Sequence, residues 1–243
     1  MIIYVIGSGS EGNCYVLKSR NGKMLILECG MRYSDVLRID VFKPSNVECL
    51  LITHEHVDHA KYHKQFTDAG IKTYTADETR KVLGLQNKAS TTDGQYRWQT
   101  IEGGEFSWCP FHVEHDAVDP CYYAIYHKEI GILMFVTDTK SIAPMDDVDH
   151  WLIEANYDHE TIQKQIDAGI ANEYLSERIA SNHMSIDTCC DILKLSSESY
   201  MPKSITLCHL SERNSDETIF KRKVYGATGL IPNIAKNGLI IEL

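Results

Sequence analysis

The segment Thr53-His54-Glu55-His56-Val57-Asp58-His59 constrains this chain more than any other. Three histidines and an aspartate fall within six positions, directly after the apolar run Cys49-Leu50-Leu51-Ile52. A strand that ends in a turn projects such side chains into one cleft. His54 and His56 share one face of an extended chain. Once the chain turns into a helix, Asp58 and His59 face a neighbouring point. Imidazole nitrogen and carboxylate oxygen suit zinc, iron or manganese, and this spacing suits two cations rather than one. The bland alternative is a polar turn with chance histidines, but ligand-type residues at this density rarely lack a site.

The remainder of the 243 residues is ordinary in composition, 43% hydrophobic and 24% charged, which excludes disorder as the main description. Lys and Arg number 24 against 34 Asp and Glu, a net charge of −10. A chain so acidic does not grip nucleic acid with its whole surface. An anionic substrate must be drawn by a local positive centre, which bound cations can supply. The apolar stretch Ile132 to Val136 is far shorter than the roughly 20 residues that span a bilayer. Met1-Ile2-Ile3-Tyr4-Val5-Ile6-Gly7 has no basic region before its apolar run, so it is read as a strand rather than a signal peptide. A cytoplasmic location with reduced thiols is therefore expected. None of the eight cysteines forms a C-x-x-C pair, and most sit among strand-type residues as small hydrophobes.

Short strands are expected at Met1–Ile6, Asn13–Lys18, Met24–Glu28, Val47–Thr53 and Ile71–Thr75. Further strands are expected at Phe106–Val113, Tyr122–His127, Ile132–Thr137, Trp151–Glu154, Ser204–Cys208 and Leu239–Leu243. Helices are expected from Ser34, from His59 to about Asp68, and over Asp77–Leu83, His159–Ala168, Ile186–Leu195 and Asp216–Val224. Ser185 or Asp187 is placed to cap the helix at Ile186. With no linker or composition break, residues 1–243 are read as one layered α/β (α+β) domain.

The sequence His54-x-His56-x-Asp58-His59 after a buried strand resembles the signature of the metallo-β-lactamase superfamily, and the match is complete. The resemblance implies a four-layer αββα sandwich with two cations at one edge between the sheets. It assigns His54, His56 and a later histidine to one cation, and Asp58, His59 and a C-terminal histidine to the other, with a further aspartate shared by both. In the family's order these later positions are His115 in His115-Asp116-Ala117, Asp138 in Thr137-Asp138-Thr139, and His209 in Cys208-His209-Leu210. His112 competes with His115, but reads better as a polar residue at a strand end.

Further segments resemble the WalJ/YycJ-type exonuclease subgroup and, more distantly, ribonuclease Z. They are Gly7-Ser8-Gly9-Ser10-Glu11-Gly12-Asn13-Cys14, Glu154-Ala155-Asn156-Tyr157-Asp158, Asn182-His183-Met184-Ser185 and His209-Leu210-Ser211-Glu212-Arg213-Asn214. That resemblance implies a phosphodiester hydrolase using a metal-bound hydroxide, with DNA a better candidate than RNA, and no obligate protein partner. Asp58 orients the metal pair, and His183, paired with Glu154, protonates the leaving oxygen. Ser10, Asn13, Ser211 and Asn214 are expected to touch substrate, and the Gly7–Gly12 loop to offer amide N–H groups to a phosphate. Zinc or manganese suits the site, with iron a third option.

The sequence departs from the pattern in three places. Glu28-Cys29-Gly30 stands where the family has Asp-x-Gly, Tyr157 where the subgroup has histidine, and Ser181-Asn182 where a glycine usually precedes His183. The arm that long ribonuclease Z chains use to hold tRNA is not evident. A cyclic phosphodiesterase, a lactonase, a thioesterase and a non-catalytic metal-binding module are the competing functions. His63, one turn after His59, is expected on the same helix face, near the rim of the site. Trp98, Trp108, Tyr96 and Tyr122 read as strand packing before they read as base-stacking groups.

Overall fold

The computed structural model describes residues 1–85, 97–170 and 172–243; Tyr96 lies outside them. Apolar alternation builds two sheets. In β1 (Ile2–Gly7) every second residue is buried, and Ile3 and Val5 point to the second sheet. Strands β2 (Cys14–Lys18), β3 (Met24–Leu27) and β4 (Val47–Leu51) are buried on both faces, as their near-continuous apolar sequences require. Between β3 and β4 lies the short helix α1 (Tyr33–Val36). After β4 come α2 (Val57–Ala60), α3 (His63–Asp68), β5 (Thr73–Tyr74) and α4 (Asp77–Leu83). The first sheet closes with β13 (Ile240–Glu242) and has the order β13-β1-β2-β3-β4-β5.

The second sheet has the order β12-β11-β10-β9-β8-β7-β6. Its strands are β6 (Gln99–Thr100), β7 (Ser107–His112), β8 (Cys121–His127), β9 (Gly131–Val136), β10 (His150–Glu154), β11 (Ser204–Cys208) and β12 (Asn233–Ile234). Helices α5 (His159–Asp167), α6 (Glu173–Asn182) and α7 (Ile186–Ser196) follow β10, and α8 (Glu217–Thr228) follows β11.

Three apolar clusters separate four layers. Leu25, Leu51, Trp108, Tyr123, Ile125 and Phe135 lie between the sheets. Met24, Ile26 and Leu50 face Val36, Ala60 and Phe66 of α1 to α3. Met134, Trp151 and Leu207 face Ile186, Ile192, Phe220 and Val224 of α7 and α8. This is the αββα sandwich that the resemblance implied.

Strands β3, β4 and β5 are mutually parallel, as are β9 to β12. Their carboxyl ends are where an open α/β sheet presents ligand-binding groups. Glu28, His54, Asp138, Glu154 and His209 all stand at or just after such ends.

Several expectations are revised. The helix from His59 to Asp68 is two short helices. The Tyr62 N–H leaves the helical pattern to donate to the Cys29 carbonyl at 3.0 Å. His63 therefore opens a new turn, bonded to the Ala60 carbonyl at 2.8 Å. It lines a cavity with Lys64, Thr67 and Lys72 instead of the rim near His59. Helix α6 went unread in the sequence. Ser185, not Asp187, caps α7, its hydroxyl accepting the Thr188 N–H at 3.1 Å. Trp108 and Tyr122 are buried packing residues, whereas Trp98 is half exposed. Seven of the eight free cysteines are buried.

His150, at the start of β10, gives a prediction about stability. It is buried and shares a 2.7 Å hydrogen bond with the Ser204 hydroxyl. Burial lowers its pKa from 6.5 to about 4. The unfolded chain thus takes up a proton before the folded one does. The associated stability is complete above pH 6.5 and is lost as the pH falls towards 4. Urea titrations of chelated protein are expected to show less acid sensitivity in that window for His150→Gln than for the parent. Identical slopes would refute this.

Candidate metal centre

At the end of β4 the chain turns sharply, and a web of backbone bonds holds the turn. The Asn13 N–H donates to the Asp58 carbonyl at 2.7 Å, the Cys29 N–H to the His59 carbonyl at 2.7 Å, and the Gly30 N–H to the Asn13 carbonyl at 2.9 Å. Glycine is required at position 30, because a Cβ there would stand 1.8 Å from the Asp58 carbonyl oxygen. Three of the ordering residues adopt left-handed backbone: Glu28 (φ 63°), Asp138 (φ 52°) and His209 (φ 53°). Such geometry costs roughly 1 kcal/mol or more per residue outside glycine. Each follows a strand closely, and the reversed backbone aims its side chain into the cleft.

All seven expected ligands meet there. Ligand atoms of His54, His56 and His115 lie within 4.8 Å of one another, as do those of Asp58, His59 and His209. Asp138 stands between the two sets. Its Oδ2 is 2.9 Å from His59 Nε2 and 3.8 Å from His209 Nε2, and its Oδ1 is 3.9 Å from His115 Nε2. His112 is elsewhere, exposed at the end of β7 with Asp119 at 3.7 Å.

The donor chemistry fits two divalent cations. His54 is fully buried; its Nδ1 bonds the Thr53 hydroxyl at 2.9 Å, while its Nε2 has no protein partner. Burial holds its pKa well below the usual range, so it presents a neutral nitrogen. Burial likewise lowers His115, against the pull of Asp138. His56 Nδ1 and His115 Nε2 face each other at 3.2 Å. In the other set, burial opposes charge, but Asp138 and Glu28 hold His59 well above its ordinary value. Against the same opposition, Asp138, Asp58 and Glu154 push His209 up to about 10. Cation uptake by these two rings would therefore release protons.

Two buried carboxylates, Glu154 and Glu28, orient these rings. The carboxylate of Glu154 is fully buried. Burial opposes its ionisation, but His183 and His209 keep its pKa lowered. Its Oε1 accepts from His183 Nδ1 at 2.8 Å and from His209 Nδ1 at 3.0 Å. Its Oε2 accepts the N–H groups of Thr139 at 3.3 Å and Met184 at 3.2 Å. Glu28 accepts the Thr53 N–H at 3.2 Å and stands 3.6 Å from His59 Nδ1. Its longer side chain thus reaches the turn that the family's aspartate would serve.

Three supports went unread in the sequence. The Asn156 amide donates to the His209 carbonyl at 2.8 Å, and the Asn182 carbonyl lies 3.2 Å from His115 Nδ1. Thr53 directs the His54 ring. All three residues stand inside the motifs named above, but a motif does not show that Asn182 acts through its backbone carbonyl.

The expected substrate contacts fare differently. Ser10 is exposed beside a polar cavity also lined by Ser8, Leu210 and Asn237. Asn13 is buried, its Nδ2 3.2 Å from the Gly9 carbonyl and 3.3 Å from His59 Nε2. Asn214 is buried and donates to the Ser211 hydroxyl at 3.1 Å. Three N–H groups of the glycine loop have protein partners: Gly9 on Asn13 Oδ1, Gly12 on the Gly9 carbonyl, and Ser8 on Asn237 Oδ1. Through Asn13 the loop is tied to the turn that bears Asp58 and His59.

Comparison with known proteins accords with this geometry. The model of the metallo-β-lactamase superfamily matches residues 7–180. The chain is 29% identical over 227 residues to exodeoxyribonuclease WalJ of Streptococcus pneumoniae, covering 87% of this chain and 82% of that protein. The metallo-β-lactamase fold protein YhfI of Bacillus subtilis superposes with a TM-score of 0.73 at 15% identity, over 99% of this chain and 98% of that one. The short form of human tRNase Z superposes with a TM-score of 0.63 at 14% identity, over 100% of this chain and 99% of that one. No helix among the described residues is long and apolar enough to cross a membrane. With the family's ligand types gathered at one edge of a four-layer sandwich, and the family match spanning most of its length, the chain belongs to the metallo-β-lactamase superfamily.

Proposed function

We propose that this chain is a metal-dependent phosphodiesterase of nucleic acid, a 5′-to-3′ exonuclease on DNA, working with two divalent cations, zinc or manganese. The observation that carries the reading is the His183–Glu154 pair beside two ligand sets that share Asp138. His183 lines a cavity of about 250 Å³ with His56, Asp58, His115 and Asp138. A positioned imidazole held by a buried carboxylate can donate a proton to the departing alkoxide of a phosphodiester. The relative named exodeoxyribonuclease favours DNA.

The ligand residues are proposed as His54, His56 and His115 for one cation and Asp58, His59 and His209 for the other, with Asp138 common to both. When bound, the cations lower the pKa of water to about 7 and neutralise phosphate charge. Asp58 holds the segment's position against His59 and His209. Glu154 takes the His183 Nδ1 proton in a hydrogen bond, which directs Nε2 into the cavity. Burial works against protonation of His183, but Glu154 and Asp138 raise its pKa, so it carries a proton to give to the leaving oxygen. Ser10, exposed at the neighbouring cavity, is a proposed contact to the strand.

The direct test uses chelated protein with zinc or manganese restored, on end-labelled single- and double-stranded DNA and on RNA. A lactone, a β-lactam and bis-p-nitrophenyl phosphate complete the panel. Turnover of the lactone with no cleavage of any phosphodiester would overturn the proposal. His183→Ala is expected to lower turnover by roughly 10²- to 10⁴-fold while both cations remain. If that variant instead loses a cation, His183 is a ligand and not the proton donor.

A further inference from the structure

Helix α6 covers one wall of the 250 Å³ cavity and supplies Arg178, Ile179 and Asn182 to its lining, with His183 immediately after. Arg178 is the only Lys or Arg among those lining residues, which otherwise include Asp58, Asp116 and Asp138. It is exposed, and no acidic partner engages it among the described residues. In the cavity lined by Ser8–Gly12, Lys236 is the one Lys or Arg among the described lining residues, and Glu217 pairs with it at 2.7 Å. In a chain of net charge −10, a cation at this cavity with no acidic partner among the described residues is an exception.

Four residues earlier stands Tyr174, 77% exposed. Positions four apart lie on one helix face, so α6 carries a cation and an aromatic ring side by side. A guanidinium recognises a phosphate through its fork of donors. An exposed ring is a platform for an unstacked base. A duplex keeps its bases inside and leaves such a ring unused.

We propose that α6 is the strand-guiding element of this site: Arg178 holds a non-scissile phosphate of single-stranded nucleic acid, and Tyr174 stacks a base beside it. This rests on the phosphodiesterase reading and adds the substrate form and two residues that bind it. The Asn182 carbonyl and His183 close the same helix. The element that would bind the strand therefore also supports the His115 ring and carries the proposed proton donor.

The test is equilibrium binding of a short, fluorescent, phosphorothioate-linked single strand to metal-loaded protein, read by anisotropy across a salt series. Arg178→Ala is expected to weaken binding about tenfold and to reduce the slope of log affinity on log salt by about 0.7, the contribution of one phosphate contact on a single strand. Arg178→Lys should restore the slope. Tyr174→Ala should weaken binding by roughly 5- to 150-fold with the slope unchanged, the mark of stacking. Arg222→Ala removes an equal charge from exposed α8 and controls for the general field; it should leave binding unaltered. Metal content is measured for every variant. Binding by Arg178→Ala with the parent's affinity and slope would overturn this inference while leaving the phosphodiesterase reading intact. Tighter binding of a duplex than of a single strand would also overturn it. Failure of the parent to bind or cut any nucleic acid would remove both.

Discussion

Replacing Asp138 with asparagine is expected to empty both cation positions and to lower phosphodiester hydrolysis by about 10³-fold or more. The magnitude follows because metal ions supply several kcal/mol to such a transition state, and each 1.4 kcal/mol is about tenfold in rate. Asparagine is the informative substitution. Asp138 adopts a left-handed backbone with φ 52°, and asparagine tolerates that region nearly as well. Shape and backbone are therefore kept while the shared charge is lost. Oδ2 of Asp138 lies 2.9 Å from His59 Nε2, and its Oδ1 is 3.3 Å from His183 Nδ1. Among the described residues no other carboxylate stands between the two sets in this way. Metal content by native mass spectrometry, circular dichroism and turnover are read on the same preparation. A folded variant that keeps two cations and the parent's rate would refute the shared role.

The second large effect concerns the fold beneath the site. Gly30→Ala should destabilise the protein by about 3 kcal/mol, the upper part of the usual range for overpacking. The new methyl group would lie 1.8 Å from the Asp58 carbonyl oxygen and 2.8 Å from the Asn13 nitrogen, both backbone atoms. Neither can rotate aside as a side-chain end would. The turn bearing Asp58 and His59 must move, so weaker cation binding is expected alongside the lower urea midpoint. Gly226→Ala provides the contrast. Gly226 lies within α8, exposed, with open space around a built Cβ, and the same change there should stabilise by roughly 1 kcal/mol. Equal effects at the two positions would show that crowding at Gly30 is not what matters.

What could be read in advance divides by the separation of the residues involved. His54, His56, Asp58 and His59 were legible because strand and turn geometry act within a few residues. The buried strands were legible for the same reason, each apolar run extending only a few positions. Asp138 and His209 are single residues after strands, and only the family's order of ligands drew attention to them. The Glu154–His183 pair spans 29 positions, and its 2.8 Å bond is a product of β10 and α6 meeting at one edge. A row of glycines does not reveal which amides the protein will consume: in the Gly7–Gly12 loop Ser8, Gly9 and Gly12 spend theirs on Asn237, Asn13 and the Gly9 carbonyl. Helix α6 is not legible in the sequence because Glu173–Asn182 lacks a strong apolar stripe.

The amino-acid sequence by itself determined the ligand chemistry, the alternation that makes two sheets, and the family to which the chain belongs. Tertiary structure alone decided that β3, β4, β9, β10 and β11 end at a common edge, with Glu28, Asp138 and His209 in left-handed backbone there. It also decided that Arg178 lines the cavity at that edge, exposed and with no acidic partner among the described residues. The physical reason is that ligand type and periodicity are local properties of a chain. Convergence, close approach and strained backbone are enforced by packing among residues far apart in sequence.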